Sequence, residues 1–115
     1  MLVRDYVPLA MGALSENTQK GWATYARRIV DVWGERDMGD VLATEMEGEG
    51  RKIQEQAVRR AVSVSGVGAR EGFISCCRAV WSRAVADGIC DKNPAASVKK
   101  PARRLPSGRR ALNAE

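Results

Sequence analysis

The sequence predicts an all-α fold, a compact four-helix domain followed by an extended basic tail. Apolar side chains recur at spacings of three and four residues, turn residues separate these stretches, and no segment shows the sustained alternation of a β-strand. The length of 115 residues and a hydrophobic content of 44% suit one domain with one core. We therefore expect a single helical unit rather than two domains.

The first helix is expected from about Glu16 to Trp33. Ser15 or Asn17 can cap its start, because a short polar side chain accepts hydrogen bonds from free backbone N–H groups, and Gly34 can end it. Its apolar stripe consists of Trp22, Tyr25, Ile29 and Trp33. Its opposite, polar face consists of Lys20, Thr24, Arg27 and Asp31. Residues 1–14 show no capping signal and are predicted to form a leader outside the helical domain.

Two further helices are expected in the middle of the chain. A short one is predicted from Gly39 to Met46, and Gly48-Glu49-Gly50 is predicted to interrupt it. The third is predicted from about Arg51 to Val64. The side chains expected to point inward from these two helices are Val41, Leu42, Met46, Ile53, Ala57, Ala61 and Val64. The third helix also carries a polar stripe of Lys52, Gln56, Arg59 and Ser63.

The fourth helix is predicted from about Ala69 to Asp87, after a turn over residues 65–68. Its inward positions are Phe73, Ile74, Cys77, Val80, Trp81 and Ala84. Gly88 can adopt the positive φ that ends a helix. Pro94 forbids simple continuation and suits the first position of a short turn across Ala95 to Val98, after which the chain becomes basic and extended.

Charge is divided unevenly along the chain. Residues 1–91 hold 12 basic and 13 acidic side chains, whereas residues 92–115 hold seven basic and one acidic. The formal net charge of +5 therefore comes from the tail. Such a tract can follow a phosphate backbone, because each cationic contact releases condensed counterions. Taken alone, the tail could equally be a solvated segment without a ligand.

Four short motifs occur in an order that identifies a family resemblance. They are Ser15-Glu16-Asn17-Thr18, Asp87-Gly88-Ile89, Asn93-Pro94-Ala95 and Val98-Lys99-Lys100-Pro101. In this order they resemble the N-terminal core-binding (SAM-like) DNA-binding domain of the phage-integrase, or tyrosine recombinase, family. The resemblance spans most of residues 15–112. It implies a core-type DNA-binding domain over 15–98 and a basic interdomain linker over 99–115, leading to a catalytic domain that this chain lacks.

The resemblance also implies a DNA-binding surface on two crossing helices. The first matches residues 17–28, and the second starts at Gly68 to Glu71, where Gly68-Ala69 replaces the family's usual Ser-Thr opening. A helix start offers free N–H groups and a positive dipole end to phosphate. The predicted DNA-binding side chains are Thr18, Gln19, Lys20, Thr24, Arg27, Arg70, Arg78, Lys99, Lys100, Arg103 and Arg104. The stripe Lys52, Gln56, Arg59 and Ser63 is a competing candidate, or a plain solvent face.

The aromatic side chains could stack on single-stranded bases or pack in the core. Their helical spacing favours the core for Trp22, Tyr25, Trp33, Phe73 and Trp81. Arg78 matches a basic position of the family, although an arginine on a helix flank is often only solvated. Residues 35–49 hold six carboxylates against one arginine, and we expect this segment to face away from the duplex or toward a neighbouring protomer.

Catalysis is not expected in this chain. The family uses a tyrosine nucleophile with arginines and histidine or lysine and needs no metal, whereas this chain has no histidine and no arginine cluster motif near Tyr6 or Tyr25. No cofactor or metal site is expected, and the three cysteines are interpreted as reduced. The expected partners are double-stranded DNA, the catalytic domain of the same parent protein and other protomers on DNA.

A cytoplasmic location in a bacterium or phage is expected, because no apolar run approaches the length of a membrane span. Two other classes of function remain open. One is a small helical transcriptional regulator, although no tight turn before a recognition helix is evident. The other is a protein-interaction module that uses the acidic segment.

Overall fold

The computed structural model describes residues 1–61 and 65–98, and the regular structure within them is helical. Four α-helices follow one another along the chain: α1 (Val3–Gly12), α2 (Glu16–Trp33), α3 (Ala43–Arg59) and α4 (Val67–Ala86). Short 3-10 turns lie at Met38–Asp40 and Pro94–Ser97. The described residues contain no β-strand, only an isolated bridge between Leu2 and Asp37. None of their helices is long and apolar enough to cross a membrane.

The first difference from the sequence prediction concerns residues 1–14, which do not form a separate leader. They contain α1, which packs against α2 and α4. Its side chains in the core are Val3, Tyr6, Val7, Ala10 and Met11. The N-cap residue Leu2 provides no side-chain cap. Instead, the carbonyls of Gly34 and Arg36 accept hydrogen bonds from the N–H groups of Arg4 and Val3, at 3.1 and 2.9 Å. Because these capping carbonyls belong to residues far along the chain from α1, the sequence around α1 carries no capping motif.

Tyr6 joins α1 to the end of α4. Its ring is buried, and its hydroxyl donates a hydrogen bond of 2.7 Å to Oδ2 of Asp87. Burial, and then the hydrogen bond to the Asp87 carboxylate, raise the pKa of Tyr6, so the phenol keeps its proton at neutral pH.

We expect Tyr6→Phe to lower the free energy of unfolding by about 1 kcal/mol. The loss is modest because Asp87 is exposed and can be solvated by water once its donor is gone. Urea unfolding followed by circular dichroism measures the change. The control is Asp5→Asn, a substitution on the exposed side of the same helix, which should change stability less. A Tyr6→Phe variant as stable as the unmodified protein would show that this hydrogen bond does not secure α1.

The structure confirms the prediction for α2, whose bounds match those expected. Ser15 is the N-cap, and its Oγ accepts a hydrogen bond of 3.2 Å from the backbone N–H of Thr18. Ile29 and Trp33 are buried, whereas Trp22 and Tyr25 are half-buried at the edge of the core. The helix ends at Gly34, as expected.

The prediction of two separate helices over residues 39–64 was wrong. The segment Met38–Asp40 is a 3-10 turn, and α3 runs without interruption through Gly48 and Gly50. Gly50 lies against α4, and a Cβ built on it would stand 3.3 Å from Cγ of Arg70. The helix stays continuous because an interior glycine costs only about 1 kcal/mol, which packing can offset.

Several inward positions predicted for this region are corrected as well. Val41, Met46, Ile53 and Ala57 are buried as expected. Leu42 is 60% exposed, because it is the N-cap residue of α3 rather than part of an inward stripe. Ala61 is exposed with a φ of 58°, since α3 ends at Arg59. Ser63 and Val64 lie outside the described residues.

The fourth helix agrees closely with the prediction and starts two residues earlier, at Val67. All six predicted inward side chains are buried, and Cys76 joins them. Gly88 has a φ of 73°, as its position after the helix required. Gly66, the residue before α4, has a φ of 71° and lies against the backbone of α3. A Cβ at this position would stand 2.3 Å from the carbonyl oxygen of Gln54. Trp33 lies between Phe73 and Trp81, at centroid distances of 6.1 and 6.3 Å.

The cysteines are free thiols. Burial raises the pKa of Cys76 to about 12 and raises that of Cys77 well above its usual value. Both therefore stay protonated at neutral pH, which makes them poor nucleophiles and poor metal ligands. Cys90 is partly exposed just beyond α4, and burial raises its pKa as well.

Candidate nucleic-acid interface

A groove of about 330 Å³ runs between α2 and the second half of α3, with the start of α4 at one side. We call it the α2–α3 groove. Its lining residues are Gly21, Thr24, Tyr25, Arg28, Ile53, Gln56, Ala57, Arg60 and Ala69. The two helices predicted to read DNA both contribute to it, since Thr24 belongs to α2 and Ala69 to the first turn of α4.

Arg28 connects the two sides of the groove. Its Nε donates a hydrogen bond of 2.6 Å to Oε2 of Glu49, and its Nη1 donates one of 2.7 Å to Oε1 of Gln56. The residue Glu49 is only 6% exposed. Its other carboxylate oxygen, Oε1, lies 3.8 Å from Nζ of Lys52. A buried carboxylate requires such compensation, so Arg28 is both a structural bridge and the main counter-ion of Glu49.

Tyr25 supplies an uncharged hydroxyl to the same groove. Its ring lies against Gly72 of α4, where a Cβ would stand 2.7 Å from the phenolic oxygen, so a glycine is needed at this contact. Burial first, and then the neighbouring Cys76, raise the pKa of Tyr25. The hydroxyl therefore stays protonated at neutral pH, and the groove gains no negative charge from it.

The predicted DNA-binding residues at the start of α2 divide into two sets. Thr18 and Gln19 serve the helix start itself, because Oγ of Ser15 donates to Oγ1 of Thr18 at 2.8 Å and Nε2 of Gln19 donates to the carbonyl of Leu14 at 2.8 Å. Lys20, Thr24 and Arg27 are exposed neighbours on the outer face of α2. These three side chains have no partner among the described residues, so they are free to contact a ligand.

Arg70 lies elsewhere, in a second hollow on the other flank of α3. Its Nη1 donates a hydrogen bond of 3.1 Å to Oε1 of Gln54, and its Nε is buried without a partner among the described residues. The remaining residues of that hollow are Arg51, Gln54, Glu55, Val58, Arg59 and Ser65. Arg70 and Thr24 are therefore not brought into one site.

Arg78 has a structural role that the sequence did not reveal. Its Nε and Nη2 donate to the carbonyl oxygens of Ala95 and Val98, at 3.1 and 2.6 Å. Asn93 completes the junction by donating from Nδ2 to the carbonyl of Arg78 at 3.1 Å. Arg78 thus fixes the Pro94–Ser97 turn onto α4. The predicted tail contacts, Lys99, Lys100, Arg103 and Arg104, lie outside the described residues.

Two groove residues, Arg28 and Arg60, were not among the predicted site residues. Arg28 borders the polar face of α2, but its partner Glu49 is 21 positions away, so only the fold shows their pairing. Arg60 follows the last residue of α3 and is exposed. The polar stripe of the third helix, the competing DNA-binding candidate, is divided between several places. Gln56 lines the groove and Lys52 faces Glu49, whereas Arg59 lines the second hollow.

The acidic segment 35–49 is largely neutralised within the fold. Glu35 pairs with Arg4, Glu45 with Arg36 at 2.7 Å, and Glu49 with Arg28. The pairing with Arg36 lowers the pKa of Glu45. A surface whose carboxylates are already paired gives little support to the alternative of an acidic protein-interaction module.

Most cations of the described residues have a partner, and the exceptions lie mainly on α2 and at the end of α3. Within residues 1–61 and 65–98, the side chains of Lys20, Arg27, Arg59, Arg60 and Lys92 make no hydrogen bond or ion pair. Lys20 and Arg27 belong to α2 and Arg59 to α3, the two helices that border the α2–α3 groove, and Arg60 directly follows α3. Of these cations Arg60 lines the α2–α3 groove, whereas Arg59 lines the second hollow.

Comparison of the chain with protein-family models, with curated proteins and with solved structures finds no match.

Proposed function

We propose that this chain binds duplex DNA as the N-terminal core-binding domain of a phage-integrase-like tyrosine recombinase. In that role it holds the recombination core site, and a catalytic domain elsewhere in the parent protein breaks and rejoins the strands. The observation that carries the DNA-binding proposal is the group of unpaired cations Lys20, Arg27 and Arg60: Arg60 lines the α2–α3 groove, and Lys20 and Arg27 lie with the groove residue Thr24 on the exposed face of α2. Unpaired, exposed cations can neutralise phosphates without first breaking an internal ion pair.

The recombinase part of the proposal depends on the ordered motifs of the sequence. Asn93-Pro94-Ala95 forms a turn held to α4 by Arg78, and Val98 leads from it into the basic segment. In the resembled family a basic linker follows the core-binding domain at this point. A downstream reading frame with an arginine, a His-x-x-Arg motif and a tyrosine would support this parentage.

We expect the double substitution Lys20→Ala and Arg27→Ala to weaken duplex binding about tenfold at low salt, because two phosphate contacts are lost. The slope of log affinity against log salt should fall by about 2. Fluorescence anisotropy with a labelled duplex, measured over a series of salt concentrations, gives both quantities.

The matched control removes two cations elsewhere, with Arg4→Ala and Arg83→Ala on α1 and α4. Both arginines already pair with a carboxylate, Glu35 and Asp87 respectively. The control should change affinity no more than about twofold. Equal losses in both double variants would mean that net charge, and not this face, determines binding. Salt-insensitive self-association without DNA binding would favour the protein-interaction module.

A further inference from the structure

We propose that the α2–α3 groove is a seat for the phosphodiester backbone of one DNA strand, with Gln56 as a contact that Arg28 orients. This inference rests on the proposed DNA-binding function and specifies which part of the duplex the groove receives. It assigns the groove a backbone contact rather than base recognition.

The orientation of Gln56 follows from the chemistry of its partner. A guanidinium has only donors, so the Gln56 atom that faces Nη1 of Arg28 must be the acceptor Oε1. The amide group Nε2, a donor only, is then left without a partner among the described residues. Gln56 could pair with adenine only if both its oxygen and its nitrogen were free. With its oxygen held, it suits a ligand that offers acceptors.

The other polar groups at the groove also donate hydrogen bonds. Arg60 contributes a guanidinium, and Thr24 and Tyr25 contribute protonated hydroxyls. The nearby Glu49 carboxylate is held by Arg28 and faces Lys52, so it does not leave the groove with a negative field. A phosphodiester offers only acceptor oxygens and carries one negative charge, which matches this set of donors.

The shape of the site favours the backbone over the bases. A concave site receives a group that projects from its ligand, and the sugar-phosphate backbone projects from a duplex. Base edges lie at the bottom of a major groove about 8.5 Å deep and are reached by convex elements such as a helix. A groove with Arg28 and Gln56 at depth and Arg60 at its margin is therefore suited to a strand backbone.

The glycines of α2 and α3 provide a test that does not damage the fold. Gly21 lines the groove, and a Cβ built on it would meet no heavy atom within 4 Å. Gly48 lies inside α3, outside the groove lining, and is equally unobstructed. Gly21→Leu should fill part of the groove, whereas Gly48→Leu makes the same change elsewhere. Both should raise the melting temperature, because leucine favours a helix more than glycine does.

We expect Gly21→Leu to weaken binding of a 20-base-pair duplex about tenfold at low salt and Gly48→Leu to change it less than about twofold, equivalent to about 1.4 and 0.4 kcal/mol.

A charge-matched pair tests the donor role of Gln56. Gln56→Glu converts the Nε2 donor into a negatively charged acceptor and should weaken binding about tenfold. Ser82→Glu, on the exposed face of α4, should weaken it less than about threefold.

The outcomes separate the two proposals. If the unmodified chain binds duplex DNA and Gly21→Leu binds equally well, the backbone seat is wrong and the proposed function stands. Equal losses for Gly21→Leu and Gly48→Leu would also overturn the seat, as would equal losses for Gln56→Glu and Ser82→Glu. If the unmodified chain binds no duplex DNA in low salt at micromolar concentration, both the function and the seat are overturned.

Discussion

Trp81→Ala is expected to lower the free energy of unfolding by about 3–5 kcal/mol, the largest effect of any single substitution considered for this protein. The side chain of Trp81 is completely buried in the core. Its ring contacts that of Trp33 edge to face, at a centroid distance of 6.3 Å and an angle of 90°. Truncation to a methyl group leaves a cavity between α2 and α4 that the packed rings cannot fill by small movements.

Trp81 also holds the turn that precedes α3. Its Nε1 donates a hydrogen bond of 2.8 Å to the carbonyl oxygen of Met38, which is itself buried. Trp81→Phe keeps most of the ring packing and removes the donor, so its expected cost is smaller, about 1–3 kcal/mol. Chemical denaturation followed by circular dichroism measures both variants. Val85→Ala, at a partly exposed position of the same helix, is the control. A loss below about 1 kcal/mol for Trp81→Ala would contradict the packing described for the core.

Arg28→Met is expected to destabilise the fold by about 3 kcal/mol, because it leaves the Glu49 carboxylate buried with only Lys52 nearby. The same substitution should weaken DNA binding, since Gln56 loses the partner that orients its amide. A second substitution that removes the buried charge separates the effect on stability from the effect on DNA binding. Combining Arg28→Met with Glu49→Leu should recover most of the stability, because the buried charge is then absent, but should not recover DNA affinity.

The control for this prediction is the pair of Arg36 and Glu45, which is bidentate and more exposed. Arg36→Met should destabilise the protein less than Arg28→Met, because water can solvate the carboxylate that is left. Thermal and denaturant unfolding of the three variants, Arg28→Met, Arg28→Met combined with Glu49→Leu, and Arg36→Met, give the comparison. If Arg28→Met and Arg36→Met have equal effects, Glu49 does not depend on its arginine in the way that its burial indicates.

The elements with complete local signals were predictable from the sequence. In α2 the capping side chain of Ser15, the apolar stripe and the terminal glycine all act within a few residues of one another, and the predicted bounds were correct. Gly48 and Gly50 suggested a break because local propensity penalises glycine, but close packing of Gly50 against Arg70 favours the continuous helix. The start of α1 was missed because its capping carbonyls belong to a later part of the chain.

In the candidate site, too, features set by neighbouring residues were predictable, whereas contacts between distant parts of the chain were not. Helical spacing placed Lys20, Thr24 and Arg27 together on an exposed face, as the structure does. The sequence could not show that Arg28 bridges to Glu49 and Gln56, since these contacts cross 21 and 28 positions. Nor could it show that the donors of Arg78 are occupied by two backbone carbonyls, because this requires the Pro94–Ser97 turn to fold back on α4.

The attachment of Val98 to Arg78 has a consequence for avidity. Ala69 of the groove lining and Arg78 lie nine residues apart on the same helix, α4, a separation of about 14 Å along a rigid rod. A DNA contact made after Val98 would thus be tethered to the groove through one stiff spacer, with little freedom in its starting point. Two weak contacts joined in this way reinforce each other through a high effective concentration, and a looser joint at Arg78 would reduce that gain while leaving each contact intact.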